Sequence, residues 1–471
     1  MEGQTRDWAN LPRLHRIEES VAPPRRDEDM NQPSQRLRLD PISVKCASEA
    51  KGTREMHATG HPNKTPSDDR RLVCAVRDPA ARARQRIVFV TTIAGWGGSE
   101  ELWSRTAVDL VSQGLPVSAS VVEDALQHPR LRELAARGIE LWPRPLWYSL
   151  RRHPWRRIAC GDRHPAAYAL ERLIHARLPA LVVFSAGSPF PPIELFELCV
   201  RRKVPFALIV QCNLDDAWPP DAVADRYRAM LAAARRCFFV SHANLRLAEN
   251  QIGGAIANAE VVWNPVNLAV NAPPPWPILG PNGEWRLACV GRLYPPQKGQ
   301  DLLLQALAGP QWSGRPWQLQ FYGYGPMRCG IERLADRLGL AGRVNFRGYT
   351  AVEAIWAENH ALVMPSRFEG LPLAMVEAML CARPVVATDI AGHAEIIEDG
   401  ESGFLAEAAT VDALAAALER FWMRRAEAEA IGAAAARRIR QLHPPDPVRA
   451  FSDKLLTAAG LIVPRQPPVI R

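Results

Sequence analysis

The chain has 471 residues, enough for two or three domains of roughly 150 residues each, and its 47% hydrophobic residues can supply a sizeable core. Its formal charge of +8, from 58 basic and 50 acidic residues, is a mild excess. Such a balance suits anionic ligands or a membrane surface but gives no ground for a nucleic-acid partner.

Residues 1–85 are polar, proline-bearing and densely charged, and are expected to form a disordered leader. Asp27-Glu28-Asp29 within it is read as part of a charge cluster rather than as a metal site. Folding is expected to begin at Arg86, with Ile87–Val90 as a buried parallel strand. Gly95-Trp96-Gly97-Gly98 then makes a turn, and Ser99 is expected to cap a helix reaching about Gln113, with Glu100 and Glu101 favourable in its first turn. Val117–Val122, Leu181–Ser185, Phe206–Val210 and Arg236–Val240 continue an alternation of strands with helices, the last strand leading into a helix from Ala243 to about Gln251.

The proline cluster Ala272-Pro-Pro-Pro-Trp276 reads as a linker. A second alternation follows: strand Arg286–Val290, helix Asp301–Leu307, strand Gln318–Tyr322, helix Met327–Leu338, strand Val344–Phe346, strand Ala361–Met364, helix Leu373–Leu380 and strand Pro384–Thr388. Two βα-alternating halves imply an α/β chain of two Rossmann-like, doubly wound domains facing a cleft. The expected boundaries are 86–268 for the first domain and 269–440 for the second, with 441–471 as a C-terminal tail.

The segment from Met364 to Leu405 carries the chemistry. Glu369 and Glu377 lie eight positions apart, the first where a strand ends and the second inside the following helix, with Gly370 and Pro372 between them. Ligands of open α/β sheets bind at such strand ends, and the unbonded N–H groups of a helix start favour an anion. Carboxylates there can accept hydrogen bonds from sugar hydroxyls, so the unit reads as a site for a polyhydroxylated phosphate ester.

Phe-Glu-Gly-Leu-Pro-Leu-x3-Glu-Ala-Met, with Glu369-x7-Glu377 embedded in it, resembles the signature of retaining glycosyltransferases of family 4, which have the GT-B fold. The resemblance spans about residues 86–440. It implies that Arg292 and Lys298, in Gly-Arg-Leu-x4-Lys-Gly, bind the diphosphate of a UDP- or GDP-sugar together with the helix start at Leu373. It gives Glu369 to the transferred sugar and Glu377 to the ribose, and it places Gly323 and Gly325, in Gly323-Tyr324-Gly325-Pro326, and Gly348 near the base. Gly97 and Gly98 would approach the donor from the first, acceptor-side domain. Arg292, Lys298 and Glu369 are thus the candidate catalytic residues; Gly97, Gly98, Gly323, Gly325, Gly370, Leu373 and Glu377 complete the donor site. A helix over Val448–Leu461 would cross back onto the first domain. Asp389–Glu395 resembles the family's sugar-side loop with one glycine replaced.

Arginine, lysine and a helix dipole together can neutralise a leaving diphosphate, so neither a metal nor a cofactor is expected. On the acceptor side, Gln211-Cys212-Asn213 stands where many members carry a histidine. Gln211 or Asn213 can hydrogen-bond a sugar, but neither is a general base; His242 and His393 are read as structural. The expected acceptor is a glycan or a lipid-linked saccharide. Trp147–Arg163, with three aromatics among five arginines, can rest on an anionic membrane or simply form a wet loop. The rival readings are a GT-B sugar-nucleotide epimerase and a non-catalytic sugar-nucleotide or polyanion-binding protein. The nine cysteines form no C-x2-C pair, which argues against zinc. With Cys199, Cys237, Cys289 and Cys381 in apolar contexts, they suit reduced thiols. No apolar run is long enough to span a bilayer, and the N-terminus lacks a secretory h-region, so a cytoplasmic location is expected.

Overall fold

A computed structural model describes residues 85–93, 95–145, 165–268 and 273–461, which lie in one compact unit. The expected leader, up to residue 84, and the Trp147–Arg163 segment lie outside these residues.

Nearly continuous apolar runs become two all-parallel sheets. The first has the order β3-β2-β1-β4-β5-β6-β7, built from β1 (Ile87–Thr91), β2 (Val117–Val122), β3 (Glu140–Arg144), β4 (Leu181–Ala186), β5 (Phe206–Val210), β6 (Cys237–Phe239) and β7 (Ala259–Val261). Ile87 sits opposite both Val117 and Leu181, so β1 lies at the point where the winding reverses. The period of two is plain in β1: Val88 and Val90 face one core, Ile87 and Phe89 the other. Helices α1 (Gly98–Ser112), α2 (Pro129–Ala136), α3 (Pro165–Arg177), α4 (Ile193–Arg201), α5 (Asp221–Ala233) and α6 (His242–Ile252) link these strands.

The second sheet has the order β10-β9-β8-β11-β12-β13. Its strands are β8 (Trp285–Val290), β9 (Trp317–Tyr322), β10 (Val344–Gly348), β11 (Ala361–Met364), β12 (Val385–Thr388) and β13 (Gly403–Ala406). Here β8 holds the central place, paired with β9 and β11. The helices are α7 (Pro295–Lys298), α8 (Gln300–Leu307), α9 (Arg328–Arg337), α10 (Val352–Glu358), α11 (Leu373–Leu380), α12 (His393–Ile396), α13 (Val411–Met423), α14 (Ala428–Leu442) and α15 (Pro447–Ala458). Leu287, Leu319, Ala361 and Val363 point into one core, and Ala288, Leu362 and Met364 into the other. Each fully buried aliphatic side chain there contributes about 1.5–3 kcal/mol.

Three details differ from the sequence expectation. Helix α1 starts two residues early: its cap is Gly97, whose N–H donates to the Glu100 carboxylate at 3.0 Å, while Ser99 Oγ donates to the same oxygen at 2.5 Å. The carboxylate three residues on accepts from the cap's own N–H, the reciprocal half of a capping box, and no side chain at the cap supplies the other half. β3 was not foreseen because it is polar and contains Pro143; at the sheet edge a missing N–H costs no ladder bond. Pro372, whose missing N–H suits the first turn of a helix, instead caps α11 from outside.

Two elements hold the connecting segments in place. The buried Arg383 guanidinium donates to the carbonyls of Trp356 (2.6 Å) and Pro275 (2.7 Å), fixing the proline segment to the second sheet. Burial alone pushes its pKa down, to about 10. α15 returns to the first sheet: Phe451, Leu455 and Leu456 join the core of Phe89 and Phe238, with Phe451 edge-on to Phe238 at 4.9 Å.

Candidate active site between the two sheets

The carboxyl ends of β1 and β8 open into one cleft of about 1270 Å³. At such reversal points two crossover helices run to opposite faces, leaving a crevice that a ligand can enter. The cleft is lined from the first half by Gly97, Gly98, Gln211 and Cys212. From the second it is lined by Arg292, Lys298, Gly323, Glu369, Gly370, Leu373 and Glu377. The site residues foreseen from the sequence therefore meet in one cavity, with one difference. Gly325 is not among the lining residues; a Cβ there would stand 2.3 Å from the Leu293 carbonyl, so its glycine serves backbone packing behind the wall.

Lys298 ends the one-turn helix α7, which Gly299 closes in the left-handed conformation (φ 62°). The lysine stem lies along Gly291, where a Cβ would be 3.5 Å away. Its ammonium meets Glu369 Oε1 at 2.5 Å, and Ser366 Oγ donates to the same oxygen at 2.8 Å. Only 7% of the Glu369 side chain is exposed, so this anion is held by two donors in a water-poor wall. Arg292 is exposed in the cleft. Its Nη2 lies 3.5 Å from the position a Cβ on Gly95 would take, so the guanidinium reaches the β1–α1 loop of the other half. Gly98 approaches too: a Cβ there would stand 3.0 Å from Leu373. Backbone, Arg292 and the start of α11 thus surround one pocket of space.

Glu377 is 5% exposed. Burial is the main cause that pushes its pKa up, to about 7, opposed by the hydrogen bond from the Asn267 N–H (3.0 Å) and by the field of Arg105. Arg105 in turn donates to Val266 O at 3.0 Å and to the Asn267 side chain. A residue of α1 therefore sets the connector that touches Glu377, a pairing that no local sequence pattern reveals. Glu100, at the head of α1, is likewise pushed to about 7 by burial, against its bonds to Ser99 and Gly97 and the field of Arg292.

On the first-half wall, Gln211 accepts from Asn264 Nδ2 at 2.9 Å and lines the cleft. Asn213 does not line it: its amide donates to Gln251 at 2.9 Å and its oxygen accepts from the Leu214 N–H. Cys212 takes a place in the wall beside Glu369, and burial pushes its thiol up to about 12. Trp96 stacks on His128 at 5.2 Å and donates to Glu101 at 3.3 Å, an aromatic lining not singled out beforehand. His393 is wholly buried, its Nδ1 donating to Thr388 O at 2.7 Å, and burial lowers its pKa. Glu395 is not among the residues that line the cleft: its carboxylate accepts from the N–H groups of His242 (3.0 Å) and Ala243 (2.6 Å), capping α6 across the two halves. Tyr324 and Tyr349 stand 66% and 82% exposed beside Gly323 and Gly348 in the cleft. Among the described residues, no group of three His, Cys, Asp or Glu side chains could hold a metal ion, and no helix is long and apolar enough to cross a membrane.

Residues 284–423 match the family described as glycosyl transferases group 1. The chain is 34% identical over 134 residues to alpha-D-kanosaminyltransferase of Streptomyces kanamyceticus, covering 28% of this chain and 34% of that one. It is 35% identical over 142 residues to the GDP-mannose-dependent alpha-(1-6)-phosphatidylinositol monomannoside mannosyltransferase of Mycolicibacterium smegmatis, covering 28% and 37%. These matches span about a third of the length of the curated relatives. Among solved structures, Anabaena Alr3699/HepE in complex with UDP superposes with a TM-score of 0.62 at 18% identity, over 80% of this chain and 100% of that one. Sucrose-phosphate synthase from Thermosynechococcus elongatus gives 0.60 at 17%, over 79% and 98%.

The fold is thus that of the GT-B proteins, two Rossmann-like sheets enclosing a cleft. Within it, residues 284–423 form a glycosyl transferases group 1 domain, and that domain contributes Arg292, Lys298, Glu369 and Glu377 to the cleft.

Proposed function

We propose that the protein transfers a sugar from a nucleoside diphosphate sugar, UDP- or GDP-linked, to a hydroxyl of a glycan or lipid-linked acceptor, with retention at the anomeric carbon. The observation that carries this reading is the grouping of Lys298, Glu369, Arg292 and the start of α11 around one space, with Glu377 in the same wall. A departing diphosphate needs positive charge fixed before the bond breaks. Arg292 offers a planar fork, Lys298 a point charge, and the first N–H groups of α11 a dipole end. Lys298 would turn from Glu369 toward the β-phosphate as the donor enters, releasing Glu369 to accept from the sugar's hydroxyls. Glu377 would accept from the ribose. Retention follows if acceptor and leaving phosphate share one face of the sugar, the phosphate oxygen taking the acceptor's proton. Gln211, which cannot act as a base, then suffices to orient a hydroxyl. Fixed cations in this number do the work of a metal, so turnover should persist in EDTA.

The relatives support the donor class: one is named for GDP-mannose and one solved neighbour holds UDP. The test is a panel of nucleotide sugars screened by thermal shift, which registers ligand binding to the native state, followed by assay of donor hydrolysis. One donor should stabilise the protein and slowly release free sugar, and Lys298→Ala and Glu369→Ala should each cut that release by about 10²-fold or more. Tight binding with no release from any donor would refute the transferase reading in favour of a binding protein.

A further inference from the structure

Lys298 and Glu369 lie 71 positions apart, on different loops, yet meet at 2.5 Å. Neither is a rigid site by itself: one ends a single helical turn, the other follows a strand on an irregular loop. What joins the loops is Arg367, two residues before Glu369. Its backbone N–H donates to Gln297 O at 2.7 Å. Its Nη1 donates to Pro295 O at 2.7 Å and to Asp301 Oδ1 at 2.8 Å, and its Nη2 to Asp301 Oδ2 at 2.7 Å. The pair is bidentate, the geometry in which a guanidinium fixes direction as well as distance. Gly299 adds a close approach, since a Cβ there would fall 1.8 Å from the Pro365 carbonyl. Arg367 therefore grips residues on both sides of Lys298. Neither Arg367 nor Asp301 lines the cleft, so both act from behind its wall.

We propose that Arg367, forked onto Asp301, is a positioning residue that sets Lys298 against Glu369 and so fixes the spacing between the phosphate-binding and sugar-binding groups. It rests on the reading of the cleft as a nucleoside diphosphate sugar site. The Asp301 carboxylate raises the pKa of Arg367, which accords with a pair that stays charged throughout. Lysine cannot replace arginine here, because an ammonium cannot reach Pro295 O and both oxygens of Asp301 in one plane.

The test uses the full chain with Arg367→Met, Arg367→Lys and Asp301→Asn, and two readouts. The first is UDP affinity by calorimetry and donor turnover. Misplacement of a reacting group by about an ångström costs up to about 10²-fold, so each variant should lose roughly tenfold or more in kcat, with a smaller change in KM. The melting temperature should fall by only a few degrees, since the ion pair is partly exposed and screened by solvent. The second is pulse acylation of Lys298 with acetic anhydride, read by mass spectrometry. A lysine no longer held against Glu369 is freer to meet the reagent, so labelling should be at least about threefold faster in the variants. This readout needs no nucleotide: a parent that binds no nucleoside diphosphate overturns the functional reading, and the labelling still decides the role of Arg367. Labelling and turnover within about twofold of the parent in folded Arg367→Met would overturn the proposal, as would full rescue by Arg367→Lys.

Discussion

Glu377 holds a carboxyl group in a place that disfavours its charge, and this has a consequence for stability. Its pKa rises to about 7 through burial, above the usual range of a glutamate in an unfolded chain. The folded state then binds this proton more tightly than the unfolded state. The contribution is fully present below about pH 4.5 and is lost as pH rises through about 7. Glu100 acts with the same sign. The buried imidazoles of His360, His393 and His443, whose pKa values are lowered, act oppositely, losing stability as pH falls below about 6.5. Above that pH they are neutral in both states and drop out. Between about pH 6.5 and pH 8 the ligand-free protein should therefore become less stable, and Glu377→Gln should flatten that slope. At pH 8 the variant should exceed the parent by on the order of 1–3 kcal/mol, and, with Glu377 proposed to accept from the ribose, it should bind UDP more weakly. Urea unfolding at the two pH values checks this. A variant less stable than the parent at pH 8 would show that its hydrogen bonds, not burial, decide the state of Glu377.

Among the elements, the one-turn helix α7 is the least secured by propensity and the most dependent on a single residue. Gly299 takes φ 62° with the Pro365 carbonyl where a Cβ would go. Gly299→Ala adds about 1 kcal/mol for the left-handed conformation and a steric clash that must move β11's exit loop. A loss of more than about 2 kcal/mol is expected, with UDP affinity falling in step because the turn carries Lys298. Thermal unfolding with and without UDP measures both. Unchanged affinity would mean that the turn does not position the lysine. The same element shows where the sequence stops being legible. Gly-Arg-Leu-x4-Lys-Gly is readable because its residues are neighbours in the chain, and strands such as Ile87–Val90 are readable because burial on both faces leaves an uninterrupted apolar run. The edge strand β3 lacks that run. The partners of Arg367, Glu395 and Arg105 lie 66, 152 and 161 positions away, and no local pattern encodes such a pairing. Of the cleft, Arg292, Lys298, Glu369 and Glu377 were legible, and the braces behind them were not.

Over the whole molecule, the two halves meet through glycines. A Cβ on Gly370 would stand 2.0 Å from the Gln211 carbonyl and 2.8 Å from Val240, and one on Gly392 would stand 2.7 Å from Ser241. Close by, the Glu395 carboxylate caps α6 from the other half. These contacts close the back of the cleft and so set the distance across which Arg292 and the β1–α1 loop face each other. Three of the four cores lie apart from this seam, and the fourth reaches it through Val240 and Leu371. A wedge at the seam should therefore separate the halves without unfolding either. Gly370→Ala places a methyl group against backbone that cannot yield as a side chain would, so the halves must rotate about the connector near Asn264–Leu268. Small-angle scattering should show a larger radius of gyration for the variant. UDP affinity should fall about tenfold or more, because cross-cleft groups lose their register, while the melting temperature drops by only a few degrees. If Gly370→Ala binds UDP as the parent does and scatters identically, the seam is compliant, and the spacing of the cleft is set elsewhere.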